Sequence, residues 1–109
     1  LVYCISGSVF DVVVDLRIGS PTFGQYDTFN LCADDANMVY IPKGMAHGFC
    51  SLSESSTLVY KTSTTYNPTC DSGILWNSVD IDWPEKDPVL SNRDKSLSDF
   101  KSFKSPFFI

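Results

Sequence analysis

The chain carries one histidine, set in Pro42-Lys43-Gly44-Met45-Ala46-His47 between two short apolar runs. A group that titrates near neutrality, held at the rim of a sheet, suits proton transfer or the binding of a polar ligand. Pro42 fixes φ and ends the first run, and Gly44 supplies the freedom needed to reverse the chain. His47 then opens the returning strand, with Phe49 on its face and Cys50 and Leu52 on the other. Judged alone, such a histidine more often closes a hairpin by hydrogen bonding a neighbour. The four cysteines, Cys4, Cys32, Cys50 and Cys70, lack Cys-x-x-Cys spacing and fall inside or beside apolar runs. With a single histidine they do not compose a zinc site. Two disulfides remain formally open, and buried thiols in a cytoplasmic protein are the expectation.

The elements that must position these groups read as short strands. Leu1–Ile5 is one, followed by a Ser6-Gly7 turn. Residues 8–17, SVFDVVVDLR, hold the clearest period of two: Phe10, Val12, Val14 and Leu16 make an apolar face. The other face is mixed, running Val9, Asp11, Val13, Asp15, Arg17. A mixed face with carboxylates lines either a barrel interior that holds a polar ligand or solvent, and solvent is the simpler expectation. A loop through Gly19, Pro21 and Gly24 leads to a strand in QYDTFNLC, and residues 33–37 turn the chain again. The histidine-bearing turn follows with a strand on each side. After the polar SESS turn, TLVYKTST is another strand, with Leu58, Tyr60 and Thr62 on one face. Beyond Pro68 the pattern loosens into short extended pieces, ILW and VDIDW. From Leu90 the text becomes helical, with Ser91 as N-cap and Leu97, Phe100 and Phe103 at near-helical spacing. The apolar tail PFFI is either docked or disordered.

These elements describe one all-β domain over 1–109, with barrel strands over 1–89 and helical turns and a tail over 90–109. At 109 residues, 43% hydrophobic and 19% charged, the chain is an ordinary globular one. A net charge of −5 without a basic stripe argues against a general nucleic-acid surface. No apolar run approaches the roughly 20 residues of a membrane-spanning helix, and no signal peptide is visible. The chain begins without Met inside an apolar run, which reads as a piece of something longer.

The Pro-x-Gly-x-x-His turn resembles the second signature of the cupin superfamily, a jelly-roll barrel. One histidine leaves no His-rich metal site, which directs the resemblance to cupins that work without metal. Within that group, VFDVVVDLRIGSPTFGQY, VYIPKGMAHGF, LVYKTSTTYNP, GILWN, IDWP and LSNRD occur in the order seen in dTDP-4-dehydrorhamnose 3,5-epimerases. The resemblance implies a jelly roll incomplete at its N-terminus, with no cofactor. Its partner would be a dTDP-linked 4-keto-6-deoxy sugar, without nucleic acid or membrane, and its parent a cytoplasmic homodimer. In this family a base removes the protons at C3 and C5 beside the 4-keto group, and an acid reprotonates the opposite face. Tyr60 matches the acid, and Asp94 matches the carboxylate that orients the base. His47 matches a second active-site histidine that helps bind the sugar. Thr65-Tyr66 stands where the family frequently has a Tyr-Tyr pair, and the resemblance makes Tyr66 a substrate-binding candidate near the nucleotide. Asp11 joins the substrate-binding candidates if its strand turns the mixed face to the ligand. The family's base histidine lies upstream of the segment matching Leu1, so the resemblance implies that this chain alone is inactive. A non-catalytic sugar-nucleotide-binding or partner subunit is the alternative, and a ligand-free structural remnant is a third.

Overall fold

A computed structural model describes residues 1–65, 67 and 71–109. Among these residues six strands form two three-stranded antiparallel sheets: β1 (Val2–Ser6), β2 (Ser8–Asp15), β3 (Tyr26–Cys32), β4 (Met38–Val39), β5 (Met45–Ser51) and β6 (Thr57–Tyr60). One sheet has the order β4-β1-β6, the other β3-β2-β5. Only β2 and β3 are consecutive neighbours. The remaining turns carry the chain from one sheet to the other, which is why the Pro42–Gly44 turn closes no hairpin: β4 pairs with β1, and β5 with β2. His47 is therefore not a hairpin-closing residue.

Strand β2 is the axis of the fold, because its two faces enter two different apolar clusters. Val9 and Leu31 of one sheet meet Val2, Cys4 and Val39 of the other, with Val13 and Leu58 packed alongside. The opposite face of β2, through Val12, Val14 and Leu16, packs against Ile74, Ile81, Trp83, Phe100 and Phe103 from the C-terminal third. The mixed face thus lines the space between the sheets, and the solvent-face expectation for it is corrected. Asp11 is fully buried, its side chain turned inward between Val9 and Val13. A period of two cannot say which face meets water when the sequel of the chain folds back over the strand.

Among the described residues the strands end at Tyr60 rather than continuing to 89. Ile74 makes only an isolated bridge to Ser98, and residues 75–91 hold no strand. Their apolar residues serve as a cover: Trp83 sits edge-on to Phe10 at 5.8 Å and donates its indole N–H to the Trp76 carbonyl. The C-terminal expectations fare better. Helix α1 (Asn92–Lys95) is capped by the Ser91 hydroxyl, which accepts from the Asp94 N–H, and a 3₁₀ turn spans Phe100–Ser102. The tail is docked: Ser105 donates to the Leu16 carbonyl, and Ile18 N–H donates to Phe107 at 2.8 Å. Tyr66 and Cys70 lie outside the described residues. Cys4, Cys32 and Cys50 are free thiols.

Candidate functional site

Register across the second sheet decides what faces its interior. Asp11 on β2 is flanked by Phe29 on β3 and Phe49 on β5, and the next row is Asp27, Val13, His47. Since side chains alternate, these two rows share the face that carries Val9 and Leu31. They make an open, aromatic and acidic wall. Across from it, β6 turns Leu58 and Tyr60 inward, Leu58 against the apolar cluster and Tyr60 against the wall.

Within this cleft His47 Nε2 lies 2.6 Å from Asp11 Oδ2. The imidazole is 16% exposed, and the carboxylate is wholly enclosed. The second oxygen, Asp11 Oδ1, is buried without a hydrogen-bond partner among the described residues. A carboxylate held half-satisfied in an apolar row is costly, and such costs persist where the group has work to do. The Tyr60 ring stands edge-on to the imidazole at 5.5 Å between centroids, with Phe49 6.2 Å from His47 and 6.5 Å from Tyr60.

Partial burial raises the Tyr60 phenol to a pKa of about 12, with the negative charges of Asp11 and then Asp94 adding to the shift. Tyr60 therefore keeps its proton at any physiological pH, the state a proton donor requires. At a pH of about 10.5 an ordinary tyrosine is more than half ionised. There the ζ-carbon NMR signal of Tyr60 is expected to keep the shift of a neutral phenol. Asp11→Asn should bring its ionisation down, and a Tyr60 that titrates with the other tyrosines would contradict this electrostatic account.

Asp94 sits on α1, near enough for its charge to act on the Tyr60 phenol. Its Oδ1 accepts from Arg93 Nη1 at 2.8 Å, and Arg93 is itself held by Asp71 through Nε at 2.8 Å and Nη2 at 2.9 Å. The free edge of β5 and the 71–97 segment enclose a groove of about 700 Å³ that both His47 and Asp94 line. Of the five residues expected at the site, the structure brings His47, Asp11 and Tyr60 together and places Asp94 across the groove. Tyr66 is outside the described residues. The inward-facing Asp27 and Phe29 were missed, because their direction depends on the β2–β3 register, which the alternation of QYDTFNLC alone does not provide. Among the described residues no cluster of three His, Cys, Asp or Glu side chains could hold a metal ion. No helix there is long and apolar enough to cross a membrane.

The family model for dTDP-4-dehydrorhamnose 3,5-epimerase matches residues 1–102. The epimerase of that name from Shigella flexneri is 45% identical over 111 residues, which cover 100% of this chain and 60% of that protein. A crystal structure of the dTDP-6-deoxy-D-glucose-3,5-epimerase from Legionella pneumophila, in complex with dTDP-4-keto-L-rhamnose, superposes with a TM-score of 0.93. It is 35% identical, and the match covers 99% of this chain and 61% of that one. The Bacillus anthracis epimerase with TDP and PPi bound gives a TM-score of 0.86 at 42% identity, over 88% of this chain and 56% of that one. This chain thus spans about 60% of the length of the Shigella and Legionella proteins.

Proposed function

The chain belongs to the dTDP-4-dehydrorhamnose 3,5-epimerase family, and from that premise we propose that it supplies the acid half and the sugar pocket of such an epimerase. The substrate is a dTDP-linked 4-keto-6-deoxy sugar, taken with its sugar ring between the Phe29–Asp11–Phe49 row and Tyr60. The observation that carries this reading is the Asp11–His47 contact of 2.6 Å facing the neutral Tyr60 phenol. The keto group acidifies the neighbouring C–H bonds, and a base takes the proton while the electron pair moves onto the keto oxygen. Tyr60 returns a proton to the carbon from the opposite face and recovers its own from solvent. His47, held by Asp11, is placed to hydrogen-bond the sugar oxygen on which the charge develops.

The base is not His47 in this reading, because the family resemblance gives His47 a supporting place in the sugar pocket, where Asp11 orients its ring. Asp94 is the carboxylate that would orient a base histidine, and the sequence holds no second histidine. The groove along the free edge of β5, with Asp94 on its far wall, has room for an extended segment that carries one. The reaction needs no cofactor. The free thiols suit a cytoplasmic setting, and a homodimeric parent is part of the proposal.

Incubating the chain with dTDP-4-keto-6-deoxyglucose in heavy water tests the reading. Binding without deuterium at C3 or C5 is the expected result. Deuterium that appears with the unaltered chain and vanishes in His47→Asn would make the Asp11–His47 pair the base and overturn that assignment. No binding at all would favour a ligand-free remnant.

A further inference from the structure

We propose that the Asp15–Arg17 ion pair sets the register of β5 and so turns His47 towards Asp11, which makes Arg17 a positioning residue for the site. The functional weight of this inference rests on the reading that His47 works in the sugar pocket.

The need for a register device follows from β5 itself. It is an edge strand, none of its residues is fully buried, and Gly48 sits in its middle. A strand without deeply buried anchors specifies its pairing weakly, and a slip of one residue reverses both faces. His47 would then point at the Phe10–Val12 side, and Asp11 would lose its contact with the imidazole.

Arg17 supplies the missing stop. Its guanidinium forks onto Asp15 through Nε and Nη2, each at 3.0 Å, and Asp15 also takes the Arg17 N–H at 2.9 Å. The fork fixes the aliphatic stem of Arg17 beneath Gly44. A methyl group built at Gly44 would stand 2.4 Å from Arg17 Cγ and 3.1 Å from Cδ, and Gly44 has φ of +87°. Only glycine fits over that stem, so position 44 is pinned along β2. Leu16 N–H donates to the Gly44 carbonyl at 3.0 Å, and the next residue, Met45, pairs with Asp15. Two residues on, His47 lies opposite Val13 on the inner face.

His47 is the only histidine, so one imidazole appears in a ¹⁵N-labelled sample. The unaltered chain should show a single downfield ring N–H signal from its bond to Asp11. Arg17→Met keeps the stem and removes the fork. That signal should then be lost or split, with affinity for dTDP-4-keto-6-deoxyglucose reduced about tenfold. Arg17→Lys, which restores a charge to Asp15, should recover most of both, and it decides the matter if Arg17→Met does not fold. Ile81→Ala, a loss of packing on the other face of β2, should lower the Tm and leave the signal intact. Arg17→Met and Arg17→Lys with an unchanged signal and affinity within about twofold would overturn the proposal, whatever their Tm. So would an unaltered chain without the signal. If the unaltered chain shows it, Arg17→Met loses it, and no sugar nucleotide binds either, the positioning stands and the functional reading falls.

Discussion

Asp15→Ala is expected to destabilise the chain by about 2–3 kcal/mol, read as a lower urea midpoint at unchanged m-value. The carboxylate is 3% exposed and accepts from five donors. Besides the three from Arg17, these are the Ser20 hydroxyl at 2.6 Å and the Thr22 hydroxyl at 2.5 Å. Alanine strands all of them. The shell is thin and the Arg17 side chain is 31% exposed, so water recovers part of the loss. That keeps the figure below the cost of opening a pair in a deep core. A Tm drop of roughly 10 °C or more goes with it.

The pH dependence has a definite sign. The Arg17 guanidinium holds the Asp15 carboxyl well below the usual carboxylate range, the two hydroxyls and the Arg17 N–H add to this, and burial opposes it. A carboxyl depressed in the folded state binds its proton more readily when unfolded, near 3.8. Its contribution is therefore complete above that value and falls as pH drops below it towards the folded value. Asp15→Asn lacks this dependence, so the gap in stability between the two proteins should narrow steadily from pH 5 to pH 2. A gap independent of pH would mean that the carboxylate charge is not what the donors hold.

The same residue shows where sequence reading stops. The alternation from Ser8 to Arg17 was enough to place β2, and the Pro42–Gly44 turn was enough to place the start of β5. Both are local signals, carried by period and by backbone freedom. Asp11 and Asp15 stand on the same face of the same strand by that signal, yet one meets an imidazole and the other a guanidinium. What separates them is pairing register and cross-sheet packing, in which partners lie 36 residues apart for Asp11 and 2 for Asp15. The stretch after Pro68 failed for a related reason. Its apolar residues Ile74, Ile81 and Trp83 suit a strand by composition, but they serve as an irregular cover on β2, and cover has no period. Tyr60 and Asp94 read as an ordinary core tyrosine and a capping-turn residue by local pattern. Only the family resemblance singled them out; in the structure burial, then the charge of Asp11, then that of Asp94 raise the Tyr60 phenol.

Asp11 and His47 offer the sharpest separation of function from stability. A buried polar or ionic pair is often no more stabilising than well-packed apolar residues, because its groups must be taken out of water. Here the balance is worse than usual, since Asp11 Oδ1 has no hydrogen-bond partner among the described residues. Asp11→Val continues the Val9–Val13 row, and His47→Leu fills the space beside Phe49 and Tyr60. The double variant is expected to be about 1–3 kcal/mol more stable than the unaltered chain. Asp11→Val alone should be less stable than the double, because it leaves the mostly buried imidazole unpartnered. In the double variant the phenol of Tyr60 loses the Asp11 charge that helps raise it, so its ionisation should move down. Affinity for the sugar nucleotide should fall at least about tenfold, since the pocket keeps its aromatic walls and loses its polar floor. Urea denaturation and calorimetric binding on the same samples give both numbers. A double variant that binds as before would remove Asp11 and His47 from the site. One less stable than the unaltered chain would show that the pair holds the fold, and the buried, half-satisfied carboxylate would then need no functional explanation.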